Sequence, residues 1–264
     1  LPLLSAYLLV THGSRDPRPQ AAVEQLAQLL CQKLRGEMLT KTQELTNTEI
    51  LTNSSVNVVT VREPLVGTAC LELAPLPLHE QIQQFGKYAS SAGFKHIQIV
   101  PLFLLPGVHV MEDIPAEVTK ARENFGCDLT MEVRPYLGFH PQISQVLTSN
   151  LHGFNADAWI LLSHGSRRQG ANYPVEALAN QLGALVAYWS VPPSWESQAK
   201  TLLIKGKKRI GILPYFLFYG GITDAIAQSV KQIKQEYPAV KFHLAKPLGA
   251  TSELAELIWD LTSK

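Results

Sequence analysis

The tetrapeptide His-Gly-Ser-Arg occurs twice in this chain, each time directly after an apolar run. The two stretches are LLVTHGSRDPRP (residues 8–19) and LLSHGSRRQGAN (residues 161–172). An internal repeat limits the fold more than any bulk property, because both copies must satisfy the same local rules of folding. The repeat extends beyond these stretches. VPLFLLPGVH (100–109) pairs with LPYFLFYGGI (213–222), and RPYLGFHPQI (134–143) pairs with KPLGATSELAELI (246–258). Three matches in the same order predict two halves, residues 1–150 and 157–264. The offset falls from 152 at the histidines to 113 at Pro101 and Pro214, so the first half carries an insertion. Residues 36–57, GEMLTKTQELTNTEILTNSSVN, are rich in Thr, Asn and Ser. They suit a solvated excursion, with room for a weak helix, better than a core element.

Each half alternates short apolar runs with helix-period segments. In the first half AYLLV, VGTACLEL, HIQIVPLFL and LTMEVRPYL read as strands. Helices are expected over 20–33, 78–90, 115–124 and 142–150. The second half repeats the pattern with WILLSH, 185–189, RIGILPYFL and VKFHLAKPL as strands. Its helices are expected over 174–185, 196–204, 224–235 and 253–261. Such alternation predicts an α/β fold in which a parallel sheet is covered by helices on both faces.

Charge and composition exclude several classes. The formal net charge of +1 gives no basic excess for a nucleic-acid track. No window holds the 18 or more apolar residues of a membrane span. The apolar N-terminus lacks a basic region and runs straight into THGSR, so it reads as a first buried strand, not a secretory signal. Cys31, Cys70 and Cys127 are scattered without a Cys-x-x-Cys pair. Three reduced thiols in a cytoplasmic protein are expected.

Ligands of open parallel α/β sheets bind beyond the carboxyl ends of the strands. His12 follows AYLLV directly, His109 follows IQIVPLFL, and Glu72 lies near the end of VGTACLEL. All three therefore reach one rim. Two imidazoles and a carboxylate suit a borderline divalent ion such as Fe²⁺ or Co²⁺, and the same groups can accept protons near neutral pH. Spacing alone leaves a purely structural role open for each. His79, His96, His140, His152 and His243 stand outside the paired motifs and read as surface or structural residues.

The repeat acts as an internal control. His109 aligns with Ile222. Aligning APLPLHEQ (74–81) with VPPSWESQ (191–198) sets Glu72 against Tyr188 or Trp189. Only His164 keeps the identity of its counterpart, so one active site is expected, in the first half, and the second half reads as a degenerate copy.

The stretches VTHGSR (10–15), CLE (70–72) and PLFLLPGVHVMEDIP (101–115) resemble the sirohydrochlorin chelatase family, the class II chelatases that place cobalt or ferrous iron in sirohydrochlorin. The resemblance spans nearly the whole chain and points to the long, two-half form. It departs at the insertion and at Val108, where Gly is commoner. It implies two tandem chelatase-like domains with the tetrapyrrole in the cleft between them. His12, Glu72 and His109 would hold the incoming metal and take up pyrrole protons. Fe²⁺ or Co²⁺ would be a substrate and no prosthetic group is implied. No P-loop is present, and none is needed for ATP-independent insertion. Sirohydrochlorin is a polycarboxylate, so Ser14, Arg15 and Arg18 are candidates to meet its carboxylates. Solvated rim charges are the alternative. Arg167 and Arg168 are the corresponding residues of the other wall. A fused chain already supplies both walls, so a monomer is expected.

Two other readings remain at this level. One is a non-catalytic tetrapyrrole or metal carrier. The other is phosphohistidine-type phosphatase chemistry, which needs an Arg directly before His-Gly, where this chain has Thr11 and Ser163.

Overall fold

The computed structural model describes residues 5–49, 63–123, 125, 129–151 and 153–263, with the backbone only for 41–49. The first half is built from β1 (Ser5–Thr11), α1 (Pro17–Glu49), β2 (Val66–Cys70), α2 (Leu78–Ser91), β3 (His96–Pro101), α3 (Ile114–Arg122), β4 (Thr130–Val133) and α4 (Ile143–Ser149). The second half follows with β5 (Ala158–Ser163), α5 (Tyr173–Gln181), β6 (Leu185–Tyr188), α6 (Trp195–Ile204), β7 (Arg209–Tyr215), α7 (Gly221–Glu236), β8 (Lys241–Leu244) and α8 (Ser252–Ser263). Two four-stranded sheets result, in the orders β2-β1-β3-β4 and β6-β5-β7-β8. Every pairing is parallel, and Val10 faces Pro101 as Leu162 faces Pro214. The repeat read from the sequence is thus a repeat of topology.

The strands alternate between two cores, because successive side chains point to opposite faces. On β1, Ala6, Leu8 and Val10 pack with Ile97 and Ile99 against Ile82 of α2 and Val118 of α3. On β5 and β7, Ile160, Leu162, Ile210 and Ile212 pack against Trp195 of α6 and Val230 of α7. The opposite faces of both sheets meet in one shared core. There Tyr7 and Leu9 join Leu161 and Leu213, with Leu26 of α1, Leu147 of α4, Leu178 of α5 and Ile258 of α8 between the sheets. Lys33 Nζ donates to Glu256 Oε1 at 2.8 Å, and the Arg134 guanidinium donates to the carbonyl of Leu261. Both contacts tie one half to the other.

Helix α1 is the largest departure from the expected elements. It continues through Glu49, so residues 36–49 extend one long helix, exposed at Gly36, Leu39 and Thr40, while 50–57 lie outside the described residues. Glu37, Met38, Leu39 and Lys41 are good helix formers. Glu37 pairs with Lys33 one turn earlier at 3.5 Å, and Gly36 by itself is too weak a break to stop them. The strands are also shorter than the apolar runs that predict them. β3 ends at Pro101, β4 ends just before Arg134-Pro135, and β2 ends at Cys70. Apolar residues continue past each ladder into the rim, where they line loops.

The histidines outside the motifs have structural partners, except that His152 lies outside the described residues. His79 Nδ1 contacts Glu117 at 2.7 Å, and His96 Nδ1 lies 2.9 Å from Ser5 Oγ. Buried His140 accepts the Gln142 N–H. His243 stacks on Phe154 at 4.7 Å, with Trp159 edge-on. Desolvation in that cluster, and then the nearby Lys234 charge, lower the His243 pKa below 6.5. The unfolded chain therefore binds this proton more readily. The stabilisation is present above pH 6.5 and is lost as pH falls through the lower folded value. The unfolding midpoint should drop between pH 7.5 and about pH 5, and His243→Phe should reduce that drop. An unchanged pH profile in the variant would refute the assignment. Cys31 and Cys70 are free thiols, and Cys127 lies outside the described residues. No helix among the described residues is long and apolar enough to cross a membrane.

Candidate metal centre and cleft

In each sheet the chain leaves the first strand toward one neighbour and later returns on its other side. The resulting switch point, beyond the carboxyl ends of β1 and β3, is where such sheets hold ligands. His12 is the first residue after β1. Parallel pairing with the β2 side runs two residues past the strands: Leu71 N–H donates to Thr11 O and Glu72 N–H to His12 O, both at 2.8 Å. This carries Glu72 to the height of His12. Gly13 makes the approach feasible. Its φ is +100°, and a Cβ there would lie 2.0 Å from the Glu72 carbonyl oxygen.

His109 comes from the far side of β1. It opens a π-helical turn, His109–Asp113, that leads into α3. Such turns are rare and recur at functional sites. His109 Nδ1 lies 2.7 Å from Asp113 Oδ2. With the proton on Nδ1, the carboxylate accepts it and Nε2 presents a lone pair, the arrangement typical of ligating histidines. Sequence reasoning missed Asp113, although the i, i+4 spacing in HVMED carried the signal.

The three predicted ligands come together. His12 Nε2 is 3.7 Å from Glu72 Oε2, and the His12 and His109 ring centroids are 4.9 Å apart at 77°. One ligand atom from each lies within 4.8 Å of the others, and among the described residues this is the one His/Cys/Asp/Glu group of three or more so placed. His12 and Glu72 are exposed and His109 is half-buried. Of the three, His12 and His109 also line the smaller cavity of the cleft.

That cleft lies between the two rims as two adjoining cavities of about 810 and 700 Å³. They share His12, Leu102, His164, Phe216 and Leu217, so both halves wall both cavities. These volumes fall within the usual range for ligand pockets.

The second half reproduces the backbone without the ligand set. Trp189 N–H donates to Ser163 O, and Ser190 N–H donates to His164 O. The counterpart of Glu72 is therefore Ser190, not Tyr188 or Trp189. The loop from β6 to α6 spans 189–194, one residue shorter than the 71–77 loop from β2 to α2. Aligning the helices therefore slips the strand ends by one position. The Ser190 hydroxyl donates to His164 O at 2.8 Å. Ile222 stands at the position of His109, eight residues beyond Pro214 as His109 is beyond Pro101. His164 keeps an open side toward solvent, yet the cleft walls desolvate it and His12 adds a second unfavourable charge. Both lower its pKa, in that order, which favours the neutral imidazole at pH 7.

The predicted carboxylate-binding residues fare unevenly. Ser14 lines the larger cavity, where its hydroxyl accepts the Asp16 N–H. Arg15 is exposed and lies outside both linings. Arg18 is engaged by Asp16 and by Asp224 of α7, with Nη1 donating to Asp224 Oδ1 at 3.1 Å. The guanidinium holds the Asp16 carboxyl down at about 2 and also lowers that of Asp224. Arg18 thus latches the first rim to the second half. Across the cleft, Arg168 Nη1 donates to Glu112 Oε1 of the π-helical turn at 3.1 Å. Arg167 and Arg168 line the smaller cavity.

Comparison with known proteins reveals a match to the CbiX family model over residues 6–152 and again over 158–263. The chain belongs to the CbiX family. This CbiX-family chain is 27% identical over 182 residues to the sirohydrochlorin cobaltochelatase of Priestia megaterium, covering 63% of the chain but 59% of that relative. It is 26% identical over 208 residues to a sirohydrochlorin ferrochelatase of the same organism, covering 74% and 76%. Among solved structures it resembles the sirohydrochlorin chelatase SirB from Bacillus subtilis subspecies spizizenii in complex with cobalt. The TM-score is 0.68 at 19% identity, covering 98% of this chain and 94% of that one. SirB from Bacillus subtilis with Fe³⁺ matches with a TM-score of 0.70, at the same identity and coverage. At these identities the structural likeness establishes the fold of this CbiX-family chain, two parallel sheets flanked by helices.

Proposed function

We propose that this chain inserts Fe²⁺ or Co²⁺ into sirohydrochlorin without ATP, as a step toward siroheme or cobalamin. Family membership supports the reaction class. The observation that carries the reading is the His12–Glu72–His109 cluster, ligand atoms within 4.8 Å, on the rim of a cleft walled by both halves. Residues 1–150 form the catalytic domain in this reading and 157–264 the companion wall. One chain is then sufficient as a monomer, in the cytoplasm.

Insertion exchanges two pyrrole N–H protons for one divalent ion, so the site must both release a metal and accept protons. Two imidazoles and one carboxylate bind a borderline ion firmly enough to position it and loosely enough to let it go. Each imidazole that gives up the metal regains a lone pair at that moment and can take a proton. Asp113, hydrogen-bonded to His109 Nδ1, stabilises the imidazolium that forms. Glu72 offers the third ligand oxygen and a further proton acceptor. The metal is a substrate here, bound transiently.

The test is steady-state insertion. Purified chain, metal-free sirohydrochlorin and either Fe²⁺ or Co²⁺ are combined without oxygen or nucleotide, and the macrocycle absorbance is followed. Catalysed turnover with at least one metal is expected, and the side-by-side rates rank the two. Stoichiometric binding without turnover would overturn the enzymatic reading in favour of a carrier.

A further inference from the structure

We propose that Leu73 and Ile222 form an apolar clamp on the flat face of the bound macrocycle, one residue from each wall of the cleft. The proposal rests on the reading of the chain as a sirohydrochlorin chelatase and identifies how the macrocycle is gripped.

Leu73 stands apart in three ways. Its φ of 57° makes it the one non-glycine residue with positive φ among the described residues. That conformation is strained for a side chain with a Cβ, and such strain persists where the surroundings impose it, often at binding sites. Its side chain is 56% exposed and joins none of the hydrophobic cores. It lines the 810 Å³ cavity. Neither burial nor backbone preference accounts for a leucine here. Its position does: Glu72 is still hydrogen-bonded to His12 O, and the left-handed turn at residue 73 directs the chain onward along the cavity wall.

Ile222 lines the same cavity from the other half and is 37% exposed. It occupies the position at which the first half carries His109. Gly220 and Gly221 precede it in the lining, so the backbone there is bare and Ile222 is the side chain that projects. Conversion of this position from ligand to apolar residue removes a second metal site and supplies a hydrophobic contact. A tetrapyrrole has apolar faces and a carboxylate rim. Apolar side chains from opposite walls match the faces, and the cations and hydroxyls at the cleft edges match the rim.

The experiment measures metal-free sirohydrochlorin binding by its visible absorbance, Co²⁺ binding in the absence of macrocycle, and the unfolding midpoint. The variants are Leu73→Gly, Leu73→Asn, Leu73→Met, Ile222→Ser and, as a control, Ile204→Ser at the end of α6, where the side chain is 87% exposed. Gly and Asn both tolerate the left-handed backbone. Leu73→Gly, Leu73→Asn and Ile222→Ser should each weaken macrocycle binding roughly tenfold, the loss expected from giving up part of a buried aliphatic contact. Ile204→Ser should bind like wild type, and Leu73→Met, which keeps an apolar side chain, should bind more tightly than Leu73→Gly or Leu73→Asn. Co²⁺ affinity should be unchanged throughout, and Leu73→Gly should unfold no earlier than wild type. Wild-type macrocycle affinity in both Leu73→Gly and Leu73→Asn would overturn the clamp. So would a parallel loss of Co²⁺ affinity, which would make Leu73 a support for Glu72. A wild-type chain that neither binds nor metallates sirohydrochlorin overturns the chelatase reading itself, a result separate from either.

Discussion

His109→Ala is expected to lower metal insertion into sirohydrochlorin by at least about a hundredfold, the usual scale for losing a positioned proton acceptor. The variant removes one of three ligands and the acceptor paired with Asp113. The fold should survive. His109 is half-buried at the start of a π-helical turn, outside the core clusters, so the unfolding midpoint should move by only a few degrees, about the scale of 1 kcal/mol. Co²⁺ titration should show weakened binding in the same variant. His164→Ala is the decisive companion. His164 holds the same backbone position, but Ser190 and Ile222 stand where the first half has Glu72 and His109, so most of the insertion rate should remain. Comparable losses in the two variants would mean that both rims are catalytic and would sink the assignment of chemistry to one half.

The second large effect is expected from Gly13→Ala. The backbone at Gly13 has φ +100°, and the added Cβ would sit 2.0 Å from the Glu72 carbonyl oxygen and 2.9 Å from its carbon. A backbone carbonyl, fixed by the chain on both sides and by the Glu72 N–H bond to His12 O, cannot rotate away as a side chain can. Strain at positive φ and the forced separation together should destabilise the protein by about 2–4 kcal/mol. Co²⁺ affinity should fall at least about tenfold, because Glu72 is pushed from His12. Gly165→Ala makes the comparison sharp. Its φ is +81°, and its Cβ would meet Val191 Cγ2 at 2.7 Å and Tyr188 Cβ at 2.8 Å. It should also lower stability, yet leave Co²⁺ binding intact. Metal affinity, and not the unfolding midpoint, separates the two glycines. Equal Co²⁺ affinity in the two variants would contradict the claim that Gly13 sets the Glu72 approach.

Much of this is legible in the chain itself. Two apolar runs ending in His-Gly-Ser-Arg, alternating with helix-period segments, specify parallel strands whose carboxyl ends share a rim. That rule places His12, Glu72 and His109 together without knowledge of a distance. Errors arose where local pattern and tertiary geometry diverge. The polar composition of 36–49 argues against burial and not against helix, so α1 ran on. The counterpart of Glu72 was shifted by one residue because loop length is invisible to an alignment of flanking apolar patterns. Arg15 and Arg18 share a motif with His12, but a motif does not show which carboxylates the folded chain brings to an exposed arginine. For Arg18 these include Asp224, 206 residues away.

The repeat, the parallel α/β class and the residue types of the ligand cluster are written in the chain, because periodicity and strand ends are local properties. Folding adds that the inner faces of both sheets share one core, that His164 lines the same cleft as His12, and that Leu73 is held at positive φ on the wall of that cleft. Those outcomes depend on which surfaces meet after the chain has closed on itself, and contacts between residues a hundred or more positions apart leave no mark on the local pattern of either.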